Sequence, residues 1–325
     1  MSARQRIAVL FGGASNEAEV SKVSAAGVAA ALTAQGHDVH SVPADRNLAQ
    51  RLAQLAPDVV FPALHGPPGE DGTVQGLLEM MELPYVGSGV EASAFAMNKI
   101  IAKAAFRLAA LPVADEVVVR ARTQDVHAAC ADIGAALGER VAVKPSRQGS
   151  ALGVTLVRNA NELPAALTLA LSFGGDVLVE RFITGREITV AVLDLFATPA
   201  RALPVIEIRT AKGTWYDYHN RYTAGASEHL IPAPLPVEIT AQLTRIALDA
   251  HFALGCRDLS RADFVLDEAL APVLLEVNTL PGMTPTSLFP DAANAVGITF
   301  EMLMQQLIDS ALARSASIAG ARRPQ

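Results

Sequence analysis

Aromatic residues and cysteines are scarce in this chain. Aromatics make up 5% of its 325 residues, and there are two cysteines. Cys130 and Cys256 lie far apart in apolar surroundings, which predicts buried thiols in a reducing compartment and argues against a disulfide-rich secreted domain. The only Trp and three of the four Tyr lie in one short stretch: Trp215, Tyr216, Tyr218 and Tyr222. This concentration of large side chains indicates a segment that packs against something.

The chain also lacks an excess of basic residues. It has 26 Lys and Arg against 33 Asp and Glu, a net charge of −7. Nucleic acid and anionic membranes are usually bound through a broad positive field, which this composition does not supply. No apolar run is long enough to span a bilayer, and MSARQRIAVLFGG has no signal-peptide core. We predict a cytoplasmic protein with no nucleic-acid or membrane partner, although a locally basic pocket for a small anion fits this charge.

The first third of the sequence alternates short β-like runs with helical patterns. RIAVLFGG, HDVHSVPA and DVVFPALHG are the β-like runs. This rhythm predicts an open, mostly parallel α/β sheet. Ligands bind beyond the carboxyl ends of the strands in such sheets. We therefore expect GGASNEAE and HGPPGEDG to line a crevice, with His65 at a strand end.

From about Asp115 onward, β-like runs dominate and helical patterns are unevenly mixed among them. This mixture predicts an α+β region with antiparallel sheets. WYDYHNRYTAGASEHLIPAP is expected to be irregular, and a loop of this length in a compact domain is often a lid. The last helical pattern ends near residue 315, and the segment 316–325 is expected to fray.

Two strands near the end of the chain carry polar side chains among apolar ones. Asp263 lies on RADFVLD, and Glu276 and Asn278 lie two apart on LLEVN. Alternation places Glu276 and Asn278 on one face, and a hairpin brings Asp263 within reach. Two carboxylates and an amide oxygen suit Mg²⁺ shared with phosphates. The alternative is a solvated acidic face, but unpaired carboxylates are costly on strands this apolar.

Two loops have the composition of anion-binding segments. Lys144 ends an apolar strand and precedes the small-residue loop GSALG, an arrangement that can hold nucleotide phosphates. The alternative is a hairpin with an exposed lysine. In NTLPGMTPTSL, the Gly282 amide and the Ser287 hydroxyl can bind an oxyanion or a carboxylate, and Arg261 is within reach of the same place. The alternative there is a plain loop beside a surface arginine.

Glu180 and Glu187 bracket a short segment in VLVERFITGREITV. They are candidates for a hinge at the base and ribose of a nucleotide, whereas surface carboxylates are the ordinary interpretation. The seven histidines show no zinc-binding spacing, and GGAS lacks the full dinucleotide fingerprint. Neither zinc chemistry nor an NAD site is predicted.

Taken together, these segments resemble the D-alanine:D-alanine ligases of the ATP-grasp superfamily. The resemblance runs in order along nearly the whole chain, through AVLFGGASNEAEVS, ALHGPPGEDGTVQGLLEMMELPYVGSGVEASAFAMNK, VKPSRQGSALGV, VERFITGREITVAV, TWYDYHNRY, RADFVLD and LLEVNTLPGMTPTSLFP. It implies an N-terminal α/β substrate-binding domain over 1–98, a central ATP-grasp subdomain over 99–184 and a C-terminal subdomain with a lid over 185–315. The tail covers 316–325, and ATP is expected between the last two subdomains.

The resemblance also implies which residues bind the nucleotide and the metal. The implied ATP ligands are Lys99 and Lys144 at the phosphates, Glu180 and the backbone around Ile183 at the adenine, Glu187 at the ribose, Trp215 near the adenine and Arg221 toward phosphate. The implied metal ligands are Asp263, Glu276 and Asn278. Two Mg²⁺ ions are expected, and Mn²⁺ is expected to substitute for them.

The amino-acid sites are implied in the same way. Glu17 matches the residue that binds the ammonium of the first D-alanine, assisted by His65, and Ser150 and Tyr222 connect that site to the lid. The remaining matches are Ser287 and Leu288 at the carboxylate of the second D-alanine, and Arg261 and Gly282 at the oxyanion. A homodimer is also expected from the resemblance.

The implied reaction joins two D-alanine molecules through D-alanyl phosphate, releases ADP and phosphate, and supplies peptidoglycan synthesis.

Three positions depart from the family pattern. Arg221 stands where the family usually has Lys, Ala151 where a second Ser often occurs, and Trp215 where Phe is common. One alternative is a depsipeptide ligase, which the resemblance associates with Phe at the lid position held here by Tyr222. The other is a non-catalytic ATP-binding module, which would be expected to lose some of the metal and oxyanion residues.

Overall fold

The computed structural model describes residues 3–15, 17–122, 125–210, 225–284 and 287–321. Its N-terminal part is a three-stranded parallel sheet in the order β2-β1-β3, with helices around it. The elements of this part are β1 (Arg6–Phe11), α1 (Ala18–Ala34), β2 (Asp38–Pro43), α2 (Leu48–Leu55), β3 (Val59–Pro62), α3 (Thr73–Met80) and α4 (Val90–Met97). The central strand β1 is buried on both faces, as expected for an apolar strand between two partners. The loops after β1 and β3 therefore lie side by side at one edge of the sheet.

The next part is a four-stranded antiparallel sheet in the order β4-β7-β5-β6. Its elements are α5 (Lys99–Leu108), β4 (Glu116–Val119), α6 (Val126–Leu137), β5 (Val141–Pro145), β6 (Thr155–Val157), a 3₁₀ turn (Ala160–Glu162), α7 (Leu163–Ser172) and β7 (Val177–Arg181). Val141 and Val143 pack into the core beneath α6 and α7. Since side chains alternate along a strand, Ala142 and Lys144 lie on the opposite face, which α6 and α7 leave uncovered.

The last sheet is antiparallel in the order β11-β10-β8-β12-β13, with β9 paired to β8. Its part of the chain contains β8 (Arg186–Asp194), β9 (Arg201–Ala202), β10 (Ile206–Thr210), β11 (Ser227–Leu230), α8 (Val237–Ala253), β12 (Asp258–Leu266), β13 (Pro272–Asn278), α9 (Leu288–Asn294) and α10 (Phe300–Ala321). In the β12–β13 hairpin, Asp263 lies opposite Glu276 and Arg261 opposite Asn278.

A shared core and a buried carboxylate attach the first sheet to the last part of the chain. Ile7 and Val9 of β1 belong to the same apolar cluster as Leu303 and Leu307 of α10. The buried Asp258 accepts hydrogen bonds from Arg314 at 2.6 and 3.0 Å and from the Gly87 backbone at 2.8 Å. Because a buried carboxylate needs such partners, this contact fixes α10, β12 and the Gly87 turn together.

The predicted fold class is confirmed: a parallel α/β part precedes two antiparallel sheets. Each sheet falls within one of the predicted ranges 1–98, 99–184 and 185–315, whose boundaries remain predictions. No helix in the described ranges is long and apolar enough to cross a membrane.

Three local expectations differ from the structure. β11 pairs with β10 inside the segment expected to be irregular, because its residues complete an antiparallel ladder. The last helix continues past residue 315 to Ala321, since Ala-rich sequence favours helix. The two thiols are free, but Cys130 is only half-buried while Cys256 is buried. Burial raises the pKa of Cys256 to about 12, which keeps that thiol protonated.

Candidate active site

A cavity of about 680 Å³ lies between the central sheet and the last sheet. This volume falls within the roughly 300–1,000 Å³ typical of small-molecule sites. The central sheet and its flanking segments contribute Lys99, Ala142, Lys144, Leu156, Glu180 and Ile183, and the last sheet contributes Glu187, Val265, Leu275 and Glu276. The structure therefore brings together the described residues that the sequence assigned to the nucleotide: Lys99, Lys144, Glu180, Ile183 and Glu187.

Glu180 on β7 is buried between two lysine ammonium groups. One belongs to Lys144 on the neighbouring strand β5 and the other to Lys103 on α5. Burial alone would raise the pKa of Glu180, but the charges and hydrogen bonds of Lys144 and Lys103 lower it below its ordinary value. Glu180 is consequently held as a carboxylate at the wall of the cavity.

Lys103 is fully buried and contacts two other groups besides Glu180. Its ammonium lies 2.8 Å from Glu116 Oε2 and donates to the Ala114 carbonyl at 3.0 Å. A buried ammonium is tolerated only with such partners. Sequence reasoning missed this residue, although Lys103 follows Lys99 by four positions and so lies on the same face of α5.

Lys99 connects the nucleotide cavity to the small-residue loop after β5. It is the first residue of α5, which Asn98 caps by accepting from the Ile100 backbone at 3.2 Å. Its ammonium lies 3.0 Å from Glu276 Oε2 and donates to the Gln148 carbonyl at 2.9 Å. A single cation thus ties β13 to the loop that carries Ser150.

The three predicted metal ligands lie together on the β12–β13 hairpin. Asp263 accepts from Arg261 at 2.8 and 2.7 Å, from Thr189 at 2.6 Å and from the Asn278 amide nitrogen at 3.1 Å. The amide oxygen of Asn278 is thereby left as its ligand atom. Two carboxylates and one amide oxygen are hard donors, so this set fits Mg²⁺ or Mn²⁺. Among the described residues, no group of three His, Cys, Asp or Glu has metal-binding geometry.

On the other side of Lys99, Glu17 is buried at the carboxyl edge of the first sheet. The Ser150 hydroxyl donates to Glu17 Oε1. The backbone approaches the other oxygen closely, since a Cβ on Gly149 or on Gly66 would lie 3.1 or 3.2 Å from Glu17 Oε2. The loops after β1, β3 and β5 therefore meet at one carboxylate.

Two titratable groups in the loop after β3 are shifted in opposite directions. Burial and the positive charge of Arg261 lower the pKa of His65 to about 4, so its ring is neutral. Glu70, deep in the cleft although part of its surface remains accessible, accepts from the Gly66 backbone at 2.6 Å. Burial and the neighbouring Glu17 raise the pKa of Glu70 to about 8. Glu70 lies within the predicted crevice loop HGPPGEDG but was not singled out.

The predicted oxyanion and carboxylate residues lie in the loop after β13. A Cβ on Gly282 would lie 2.7 Å from Ser287 Oγ, so only glycine fits this close approach. Ser287 Oγ accepts from the Thr284 backbone at 2.9 Å, and the buried Leu288 begins α9. Trp215, Arg221 and Tyr222 lie outside the described residues, so their predicted roles remain predictions.

Two antiparallel sheets that enclose a nucleotide-sized cavity, with two lysines and hard oxygen donors on its walls, define an ATP-grasp enzyme. Glu17, the Gly282 loop and Arg261 line a cleft that adjoins this cavity.

Comparisons with known proteins identify the family. A profile for the D-ala D-ala ligase N-terminus matches residues 44–88, and one for the D-ala D-ala ligase C-terminus matches residues 106–309. The D-alanine–D-alanine ligase of Parvibaculum lavamentivorans is 46% identical over 319 residues, which cover 96% of this chain and 99% of the relative. The chain belongs to the D-alanine–D-alanine ligase family.

Solved structures agree with this assignment. The D-alanine–D-alanine ligase of Bacillus anthracis, complexed with ATP, has a TM-score of 0.82 and 30% identity, with 97% of this chain and 99% of that one covered. A D-Ala:D-Ser ligase of Enterococcus faecalis has a TM-score of 0.79 and 30% identity, with 95% and 99% covered. The family fold is therefore compatible with more than one second amino acid.

Proposed function

We propose that the described site catalyses the ATP-dependent joining of two D-alanine molecules to D-alanyl-D-alanine, the reaction after which the family is named. The observation that carries this proposal is the continuity of the two clefts through Lys99. Its ammonium contacts Glu276 at the nucleotide cavity and the loop whose Ser150 holds Glu17. A phosphate of ATP and the carboxylate of an amino acid on Glu17 can therefore meet beside one cation.

In the first step, the carboxylate of the first D-alanine attacks the γ-phosphate, giving D-alanyl phosphate and ADP. Glu17 holds the ammonium of that D-alanine, which leaves the carboxylate directed toward the nucleotide. Lys99 and Lys144 reduce the repulsion between the two anions. Glu180, Ile183 and Glu187 hold the adenine and the ribose, and we assign Trp215 and Arg221 to the same nucleotide.

Asp263, Glu276 and Asn278 would hold two Mg²⁺ ions, with Mn²⁺ able to replace them. When bound, these ions neutralise the charge that develops on the transferred phosphoryl group. Arg261 binds Asp263 through two hydrogen bonds, which fix its guanidinium beside the metal ligands. The protein thereby presents Arg261 in one orientation before any substrate arrives.

In the second step, the deprotonated amine of the second D-alanine attacks the carbonyl of D-alanyl phosphate, phosphate leaves, and the nitrogen gives up a proton as the amide forms. Arg261 and the Gly282 amide stabilise the tetrahedral oxyanion, whose charge exists only between reactant and product. Ser287 and Leu288 hold the carboxylate of the second D-alanine. Acyl phosphates hydrolyse readily, so a lid that includes Tyr222, acting with Ser150, would keep water out.

Phosphate release tests this function. The protein is incubated with ATP, Mg²⁺ and D-alanine, with parallel reactions that contain L-alanine, D-alanine plus D-lactate, or D-alanine plus D-serine, and products are identified by mass. We expect phosphate release and D-alanyl-D-alanine with D-alanine alone. Absence of phosphate release, or equal rates with L-alanine, would refute the proposal. A mixed product formed in preference to the dipeptide would reassign the second substrate.

Membership of the family also supports a cytoplasmic homodimer that supplies peptidoglycan synthesis. Sedimentation of the purified protein at several concentrations checks the dimer, and a monomer at every concentration would contradict it. Fractionation of cells that express the protein checks its location.

A further inference from the structure

Ser24 lies at the centre of a small buried network that joins the two amino-acid loops. It is on α1, is completely buried, and its Oγ lies 3.1 Å from Nε2 of His65. The Met283 backbone N–H donates to the same Oγ at 3.4 Å. Met283 follows Gly282, so one hydroxyl contacts both the His65 loop and the proposed oxyanion loop.

The hydrogen-bond capacity of serine decides the direction of the contact with His65. A hydroxyl has one hydrogen to donate and can accept two. Within the described ranges, Ser24 Oγ contacts only His65 and Met283, and Met283 can only donate. If His65 also donated, the buried hydroxyl hydrogen would have no acceptor, which is costly. The satisfied arrangement has Ser24 donating to Nε2.

We infer that Ser24 is a positioning residue that fixes His65 as the neutral Nδ1–H tautomer, and that His65 thereby donates a hydrogen bond to an oxygen of the reacting D-alanyl group. Nε2 is occupied by Ser24, so the ring contacts substrate through Nδ1. That atom has no hydrogen-bond partner in the described part of the chain. A neutral ring with its proton on Nδ1 cannot accept from an ammonium at that atom.

The position of the ring agrees with an oxygen ligand. Cε1, the ring carbon between Nδ1 and Nε2, lies 4.0 Å from where a Cβ on Gly282 would be. The ring is therefore beside the proposed oxyanion site of Arg261 and Gly282. Its pKa of about 4 keeps it neutral at physiological pH, so it donates without adding a charge. This role replaces the expectation that His65 assists Glu17 at the ammonium, and it rests on the proposed function.

The tautomer can be measured without substrate, which separates this inference from the proposed function. Long-range ¹H–¹⁵N correlation spectra of the full ¹⁵N-labelled chain distinguish the two ring nitrogens, and His65→Gln identifies the His65 signals among seven histidines. We expect a protonated Nδ1 and an unprotonated Nε2. In Ser24→Ala, the Nε2–H tautomer should gain population. A protonated Nε2 in the unmodified protein, or no change in Ser24→Ala, would overturn the role of Ser24.

Ser21→Ala is the matched control. Ser21 is also completely buried on α1, and it too makes two hydrogen bonds, from the Gly12 backbone at 2.8 Å and to the Ala63 carbonyl at 2.6 Å. It therefore loses a comparable set of contacts without contacting His65. In Ser21→Ala, His65 should keep the tautomer of the unmodified protein. A change in tautomer population as large as that in Ser24→Ala would overturn the inference.

Kinetics test the donor role. His65→Leu removes the donor and should lower kcat by about 10²–10³-fold, the range for loss of one oxyanion-hole donor. His65→Gln retains an N–H donor and should recover part of that loss, while the KM for ATP stays unchanged in both. If His65→Leu raises only the KM for D-alanine and leaves kcat intact, His65 binds the ground state and the donor role is wrong.

Discussion

Glu180, at the nucleotide end of the site, is buried against the ammonium groups of Lys103 and Lys144, whereas Glu17, at the amino-acid end, is buried against the Ser150 hydroxyl and near a second carboxylate, Glu70. The lysines lower the pKa of Glu180, while Glu17 helps to raise that of Glu70. At the nucleotide end, the negative charge of Glu180 is therefore balanced by the protein's own lysines before a ligand binds. At the amino-acid end, two carboxyl groups lie close together beside the site proposed for an ammonium.

The largest effect is expected from Glu276, which lies between the two regions. Glu276→Gln keeps the shape but removes the charge that faces Lys99 and the proposed metal. We expect turnover to fall by about a thousandfold or more, as when other charge-neutralising groups are removed from phosphoryl transfer. Steady-state phosphate release measures this, and circular dichroism checks the fold.

Glu268→Gln is the control for that experiment. Glu268 lies in the turn of the same β12–β13 hairpin and is exposed. It should keep normal turnover. Near-normal activity of Glu276→Gln would show that Glu276 is not a metal ligand.

Lys103→Met breaks the balance at the nucleotide end. It removes the buried ammonium that Glu180 and Glu116 share, and leaves Glu180 with Lys144 and Glu116 with Arg107. We expect a loss of up to about 3–5 kcal/mol in the free energy of unfolding, together with a higher KM for ATP. Urea denaturation measures the first and kinetics the second. Lys103→Met/Glu116→Gln also removes one of the two carboxylates that lost this ammonium, and should recover part of the stability.

Lys22→Met provides the comparison with a surface pair. Lys22 contacts Glu19 at 2.6 Å, but both side chains are largely exposed. Its loss should change stability by about 0.5 kcal/mol or less. A loss equally small for Lys103→Met would mean that the buried cluster does not depend on this ammonium.

The proposed metal ligands show what sequence can predict. Asp263, Glu276 and Asn278 were expected on one side of a hairpin because strand alternation is a fixed local rule, and the structure joins Asp263 to Asn278 at 3.1 Å. The loops after β1 and β3 were expected at a crevice for a similar reason, since parallel strands align their carboxyl ends. Local geometry and sheet topology therefore predicted the fold class and the grouping of these three side chains, whereas Glu17, Lys99 and Ile183 were expected only from the resemblance to the ligases.

Lys103 and Ser24 show what sequence does not predict. Lys103 is important because α5 packs so that its ammonium reaches Glu180, 77 positions further along the chain. Ser24 is one of several small residues on α1, and only the approach of the Met283 loop, 259 positions away, gives it two partners. Such roles depend on long-range packing. The return strand β11 was missed for the same reason, because its partner β10 is separated from it in sequence.

Glu17→Gln breaks the other end of the comparison. It keeps the size of the side chain and can still accept from Ser150, but it removes the charge proposed to bind the ammonium of the first D-alanine. A hydrogen bond to a charged group contributes about 1.5–3 kcal/mol, so the KM for D-alanine should rise roughly ten- to a hundredfold. The KM for ATP should stay nearly unchanged.

Glu19→Gln is its control. Glu19 lies two positions away on α1, and its side chain is 83% exposed. It should leave the KM values for both substrates unchanged. An equal rise in the KM for ATP and for D-alanine in Glu17→Gln would mean that the two ends are not separate.

A pH-dependent effect on stability is expected at Glu70. Its pKa is about 8 in the folded chain against 4.5 for an ordinary glutamate, so between these values the folded state retains a proton that the unfolded state has lost. Stability from this group is complete below about pH 4.5 and is lost as the pH rises toward 8. The slope is at most about 1.4 kcal/mol per pH unit. Glu70→Gln cannot titrate, so its stability relative to the unmodified protein should rise over this interval.

Urea denaturation at several pH values measures this difference in stability. The exposed Glu91→Gln is a control that should show no pH-dependent difference.

The same urea series with Glu17→Gln tests whether the two carboxyl groups at the amino-acid end interact. Glu17 contributes to the raised pKa of Glu70. Removing the charge of Glu17 should therefore lower the pKa of Glu70, so that the pH-dependent loss of stability ends at a lower pH. An unchanged pH dependence in Glu17→Gln would mean that Glu17 does not contribute to the raised pKa of Glu70, and that the amino-acid end does not hold two interacting carboxylates.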